Sequence, residues 1–248
     1  HNKQKDLVVF VHGGGVDREE VGIFTQISKQ LLNNNISSLR FDLRAHGKSE
    51  GTLEELTIFS CLTDLFSAID FVWQTRRIKK IHLIGSSLGG AVSILYASKF
   101  SEKIKSLVLL NPLLDIRKRF LEERTFWDDG KLNRIGIKEI NKKGWLDHYG
   151  VLKISRPFLN EMLYLHPFIE MKKINVPILT IHGTKDSKID YRLSQKYYLI
   201  NASSKLILIE GADHEFVKPG DIQMNEPETK KMQSDVVEKS TKWIIQNS

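Results

Sequence analysis

Ile81-His82-Leu83-Ile84-Gly85-Ser86-Ser87-Leu88-Gly89-Gly90, running on into Ala91-Val92-Ser93-Ile94-Leu95-Tyr96-Ala97, decides the fold. A short apolar run, a G-x-S-x-G turn and a helical pattern follow one another without a spacer. A strand that passes into a helix through such a turn presents its central serine, Ser87, at the tip of a tight, strained bend. Gly85 and Gly89 are required because strand and helix cross too closely there for side chains. The serine then sits at a helix N-terminus, where unpaired N–H groups and the dipole favour negative charge. That placement suits a nucleophile whose reaction passes through an oxyanion.

Outward from this turn, apolar runs and helical patterns alternate. Buried strands are expected at Leu7 to Val11, Ser38 to Phe41, Ile81 to Ile84, Ser106 to Leu110, Ile178 to His182 and Leu206 to Ile209. Helices are expected at Ile23 to Leu32, Cys61 to Trp73, Ala91 to Phe100, Tyr191 to Leu199 and Val236 to Ile245. Such alternation predicts an α/β fold with a mostly parallel sheet covered on both faces. It breaks between Pro112 and Val176, a stretch rich in charges and aromatics with helical patches and no clear strand. The expected organisation is a core of residues 1–111 and 176–248 with an inserted helical cap, 112–175. Pro219 to Thr229 reads as an exposed loop.

A serine hydroxyl needs a base to take its proton, and the base an acid to orient it. Both follow in the chain at strand ends. Asp186 closes His182-Gly183-Thr184-Lys185-Asp186 after one apolar run, and His214 closes Glu210-Gly211-Ala212-Asp213-His214 after the next. Alone, each reads more readily as a turn aspartate or a solvated loop histidine. Their order, Ser then Asp then His, and their shared sheet edge favour a triad. Asp190 and Asp213 are the alternative acids. His82 and His182 read as structural, His148 and His166 as packing or substrate contacts. For an oxyanion hole, the Leu88 N–H is one expected donor. Gly14, in Val11-His12-Gly13-Gly14-Gly15, is the other, with Gly15 as second choice. Gly15, Trp127 and Trp145 are the expected substrate contacts.

Composition narrows the classes. The 248 residues suffice for one domain with an insertion, and 41% hydrophobic with 27% charged residues is ordinary for a globular chain. No apolar stretch is long enough to span a bilayer. The net charge of +7 comes from basic residues scattered among acids, without the basic block of a nucleic-acid binder. It suits an anionic substrate or an acidic acyl-carrier protein. Cys61, the only cysteine, lies on a helical apolar stripe and reads as a small buried hydrophobe; a single cysteine fits a reducing, cytoplasmic setting. Gly47-Lys48-Ser49 imitates the end of a phosphate loop, but Asp42 stands where the first glycine belongs. Gly85 to Gly90 lacks the middle glycine of a dinucleotide fingerprint. No metal motif is present, and no cofactor is expected.

His12-Gly13-Gly14, the loop Phe41-Asp42-Leu43-Arg44-Ala45-His46-Gly47-Lys48-Ser49, G-S-S-L-G-G, H-G-x-x-D and the late G-A-D-H together resemble the α/β-hydrolase superfamily. The resemblance is nearest to its monoacylglycerol-lipase-like and cinnamoyl/feruloyl-esterase-like branch and covers the whole chain except the cap. It implies Ser87, Asp186 and His214 as the triad and makes Arg44, His46 and Ser49 hydrogen bonders that fix a loop. It also implies antiparallel strands before the H-G turn, where few residues precede Leu7. The H-G-G-G run is similar to hormone-sensitive-lipase-like proteins, but the loop at Asp42 is not. The expected activity is cofactor-free hydrolysis of a carboxylic ester or thioester, with peptide hydrolysis not excluded. The alternatives are acyl transfer, cyclisation or elimination by the same triad, and a ligand-binding module without turnover.

Overall fold

The computed structural model describes residues 6–76, 78, 80–122 and 125–248. Its centre is a six-stranded sheet built from β1 (Leu7–Val11), β2 (Ser37–Arg40), β3 (Ile81–Ser86), β4 (Ile104–Leu110), β9 (Ile178–Gly183) and β10 (Ser204–Ile209). The spatial order is β10-β9-β4-β3-β1-β2, and every neighbouring pair is parallel. The antiparallel strands implied before the H-G turn are not among the described strands of this sheet.

Side chains alternate across a strand, so β1 divides its residues between two cores. Leu7, Val9 and Val11 pack with α2 (Ile58–Arg76) and α3 (Ser87–Lys99), whereas Val8 and Phe10 pack with α1 (Ile23–Asn33) and α8 (Pro227–Gln246). Both faces are thereby covered, which is why β1, β3 and β9 are buried along their whole length. Helix α3 is buried from Leu88 to Ala97 and carries almost no polar side chain, as a helix enclosed on all sides requires. In neighbouring α2, Cys61 is buried and unpaired, and burial pushes its thiol up to about 12. The small-hydrophobe reading of this residue matches that environment.

The segment between β4 and β9 departs from the expectation of a strandless, purely helical cap. It forms two short antiparallel hairpins, β5 (Trp127–Asp128) with β6 (Lys131–Leu132) and β7 (Trp145–His148) with β8 (Leu152–Ser155). Between and after them come α4 (Arg134–Lys143), α5 (Arg156–Tyr164) and α6 (Pro167–Glu170). The strands are too short for a period-2 pattern to show, and left-handed Asp129, Gly130, Tyr149 and Gly150 make their turns. After α7 (Tyr191–Tyr197), the last helix also begins earlier than its apolar stripe suggests. Pro227 occupies its first position, where a missing N–H costs nothing. The loop ahead of it is anchored, not simply exposed, because the buried Asp221 carboxylate accepts the Asn225 and Glu226 N–H groups.

The strand order reverses between β1 and β3, since β1 is followed by β2 on one side and by β3 on the other. Parallel sheets open a crevice at the carboxyl ends of strands at such a point. The H-G turn follows β1 and Ser87 follows β3, so both border it.

Candidate active site

Ser86 ends β3 in an extended conformation (φ −109°, ψ 137°), and Ser87 starts α3 at φ 49°. The bend needs its glycines for steric reasons. A Cβ on Gly89 would lie 2.1 Å from the Val11 carbonyl oxygen, and one on Gly85 2.4 Å from Ser93 Oγ. The Leu88 N–H falls in the first turn of α3, where helix N–H groups lack an intrahelical acceptor.

The turn after β1 spends its N–H groups selectively. Gly13 N–H donates to Glu20 Oε2 at 2.7 Å, and Gly15 N–H donates to His46 Nε2 at 2.9 Å. The Gly14 N–H has no protein acceptor among the described residues. His46 Nδ1–H donates to the Arg44 carbonyl (2.9 Å), Arg44 pairs with Asp64 (2.6 Å), and Ser49 Oγ donates to the Asp42 carbonyl (2.7 Å). These three therefore brace the loop against the glycine turn. His12 is buried beneath it, accepting the Leu43 N–H on Nε2 and donating from Nδ1 to the Gly13 carbonyl; burial lowers its pKa to about 4, so it stays neutral.

At the far side of the crevice, Asp186 and His214 meet: His214 Nδ1–H donates to Asp186 Oδ2 at 2.8 Å. The same oxygen accepts His182 Nε2–H at 3.1 Å, and Oδ1 accepts the Lys188 and Ile189 N–H groups. Burial alone would raise the Asp186 pKa, but the donors from His182 and His214 outweigh it and hold the carboxyl well below the usual range. For His214, burial opposes the imidazolium, yet the hydrogen bond and charge of Asp186 prevail and raise its pKa. The alternative acids are engaged elsewhere. Asp213 accepts from the N–H and hydroxyl of Ser187 and from the backbone N–H of His214, not from its ring, while Asp190 caps α7 and pairs with Arg192.

Ser87, Leu88, Gly14 and His214 line one cavity of about 430 Å³. Its other walls include Leu113, Phe120, Leu152 and Ile189, with Arg119, His148 and Lys188 among the polar groups. The β7–β8 hairpin forms the roof, since a Cβ on Gly14 would stand 3.2 Å from Leu152 and one on Gly15 2.2 Å from Val151.

The expected substrate contacts are placed elsewhere. Gly15 borders a separate, more open cavity with Asp17 and His46. Trp127 pairs with Leu132 across its hairpin and lines two outer grooves of the inserted segment. The Trp145 ring is covered by Lys153 (4.6 Å) and Lys143 (5.3 Å), a surface cation–π arrangement. Neither tryptophan lines the cavity with Ser87, and no sequence pattern announced the hairpins that carry them.

Three residues around the site were missed or given a lesser part. His182 orients Asp186, a task its four-residue spacing could have suggested. Asn111, at the end of β4, donates to the His214 carbonyl and accepts the Gly183 N–H, tying the two loops together. Its only signal is a polar residue closing an apolar run. Glu20 gave none, because Glu19-Glu20 reads as a charged surface turn.

Among the described residues no helix is long and apolar enough to cross a membrane, and no group of three or more His, Cys, Asp or Glu is placed to hold a metal ion.

The family profile "Serine aminopeptidase, S33" matches residues 2–135, more than half of the chain. A Mycoplasma genitalium protein described as an esterase/lipase is 27% identical over 236 residues, covering 86% of this chain and 83% of that protein. Human mitochondrial palmitoyl-protein thioesterase ABHD10 is 28% identical over 200 residues, covering 75% of this chain and 60% of the thioesterase. The structure of Est1E from Butyrivibrio proteoclasticus superposes with a TM-score of 0.77 at 20% identity, over 99% of this chain and 90% of Est1E, a likeness of fold.

Proposed function

The chain belongs to the serine aminopeptidase S33 family and has the α/β-hydrolase fold, and from that premise we propose that it hydrolyses carboxylic esters or thioesters through an acyl-enzyme on Ser87. One observation carries this reading: His214 donates a hydrogen bond from Nδ1–H to the Asp186 carboxylate and lines the same cavity as Ser87. Nε2 is thereby left as the basic nitrogen. The buried carboxylate fixes that tautomer and stabilises the imidazolium that forms.

Ser87 Oγ attacks the carbonyl carbon while its proton passes to His214 Nε2. The carbonyl electron pair moves onto oxygen, where the Gly14 and Leu88 N–H groups hold it. Collapse breaks the bond to the alcohol or thiol, which leaves with the proton from His214. Water then attacks the acyl carbon, again giving its proton to His214. The carboxylic acid departs as Ser87 recovers its hydrogen. An amide substrate needs fuller protonation of a poor leaving group, and the sequence relatives include esterases, lipases and thioesterases. Both points favour esters. Residues 112–175 act as a cap, and Leu113, Phe120, Leu152 and Ile189 receive the acyl group.

The direct test is labelling by a fluorophosphonate, read by peptide mass spectrometry. One adduct on the peptide containing Ser87 is expected, and an adduct confined to another residue sinks the assignment. The pH profile gives a second check. His214 acts as a base only when neutral, and its pKa is raised. kcat/KM should therefore fall, as pH is lowered, through an apparent pKa above the ordinary histidine value of about 6.5. Asp186→Asn should move that limb to lower pH while reducing kcat.

A further inference from the structure

Two glutamates, Glu20 and Glu215, border the cavity without a part in this chemistry, and Glu20 is the buried one. Glu20 is 8% exposed and lines the cavity with Ser87 and His214. Its neighbour Glu19 behaves as a surface acid, paired with Arg40. The two oxygens of Glu20 accept from different elements, Oε2 from the Gly13 N–H at 2.7 Å and Oε1 from the Ser86 hydroxyl at 2.8 Å. Gly13 immediately precedes Gly14, and Ser86 immediately precedes Ser87. One side chain thus joins the two peptide segments whose N–H groups would flank the reacting carbonyl.

The backbone that delivers this side chain is strained. Glu20 and Val21 are both left-handed, at φ 46° and 47°. L residues avoid that region, a β-branched valine most of all. Such an outlier persists where its surroundings over-determine it, and here two buried hydrogen bonds do so. The same contact withdraws the Gly13 N–H from any ligand, leaving Gly14 as the turn's free donor.

We propose that Glu20 is a positioning residue for the oxyanion site: by holding the Gly13 N–H and the Ser86 hydroxyl together, it sets the Gly14 and Leu88 N–H groups at the separation a developing oxyanion needs. The inference rests on the reading of Ser87 as nucleophile. Burial favours the neutral form of Glu20 against the pull of its two donors, which limits the negative charge set beside the oxyanion.

Losing a single oxyanion donor typically lowers kcat by about 10²–10³-fold, so Glu20→Ala is expected to lower kcat about 100-fold with KM within about threefold. Glu20→Gln can still accept from Gly13 and can donate to Ser86 Oγ, and should stay within about tenfold of the parent. An acyl trifluoromethyl ketone forms an oxyanion on the serine, whereas the matching methyl ketone reports ground-state binding. Affinity for the first should fall in proportion to kcat/KM in Glu20→Ala, with the second unchanged. A kcat and trifluoromethyl-ketone affinity within about threefold of the parent would overturn the inference, as would equal losses in Ala and Gln variants of parental Tm. If Glu20→Ala does not fold, Ser86→Ala decides. It removes one hydrogen bond and should weaken trifluoromethyl-ketone binding selectively; unchanged binding overturns the proposal. Ser87→Ala in the same assay keeps the two readings apart. Retained activity there removes the nucleophile assignment itself, while an inactive Ser87→Ala beside an unaffected Glu20→Ala removes only the part given to Glu20.

Discussion

Ser87→Ala is expected to lower kcat for an activated ester by about 10⁴-fold or more, with little change in substrate affinity. The hydroxyl makes no hydrogen bond that the fold depends on among the described residues, so the variant should keep the parental Tm. His214→Ala should be comparably inactive, since an unassisted serine hydroxyl is a weak nucleophile at neutral pH. The two changes together should cost no more than either alone, because base and nucleophile act as one unit. Steady-state kinetics on the two single variants and the double variant measure this directly. Multiplicative losses would show that the two residues contribute separately and would refute the shared mechanism. Residual turnover above the uncatalysed rate is expected in each, from the N–H groups of Gly14 and Leu88.

Gly89→Ala is expected to destabilise the protein by about 4 kcal/mol or more, the range reached only when a core is forced apart. The added Cβ would stand 2.1 Å from the Val11 carbonyl oxygen and 2.5 Å from that of His12. Both are backbone atoms of a buried central strand and its turn, and neither can swing aside like a side chain. Relief requires α3 to move off β1, which opens the buried contact between them. A fall in Tm of roughly 10 °C or more, or failure to fold, is the outcome to look for. Gly144→Ala supplies the control. It is left-handed at φ +84° and closes α4, but nothing lies within 4 Å of the added Cβ. It should lose about 1 kcal/mol, the ordinary cost of a left-handed L residue. Gly89 lies in helix α3 without a left-handed backbone, so a loss there no larger than at Gly144 would mean that the close approach to β1 is relieved at little cost.

The central strands β1, β3, β4 and β9 were legible because each is a short apolar run covered on both faces of a parallel sheet. Ile81–Ser86 and Ile178–Gly183 need no neighbours to announce them. Boundaries drifted where the apolar signal was absent. Helix α8 begins at Pro227 and not near Val236, because its first turns carry polar residues and a proline at N1. The β7–β8 hairpin escaped notice since four-residue strands beside left-handed Tyr149 and Gly150 carry no alternation long enough to read. That hairpin roofs the cavity, and neither Trp127 nor Trp145, singled out from aromatic content, is among the residues that line it with Ser87.

The chain order by itself determined the α/β class, the tight turn at Ser87 and the strand-end positions of Asp186 and His214, because local sterics and hydrophobic periodicity act over a few residues. Only the tertiary structure decided that Asp186, and not Asp190 or Asp213, meets the imidazole of His214. It alone placed His182 and Asn111 behind that pair and turned Glu20 inward. Those outcomes depend on contacts between segments far apart in the chain. Glu20 reaches Ser86 across 66 residues, and Asn111 reaches His214 across 103. Hydrogen-bond partners at such separations are fixed by how layers pack, a property that no short window of sequence contains.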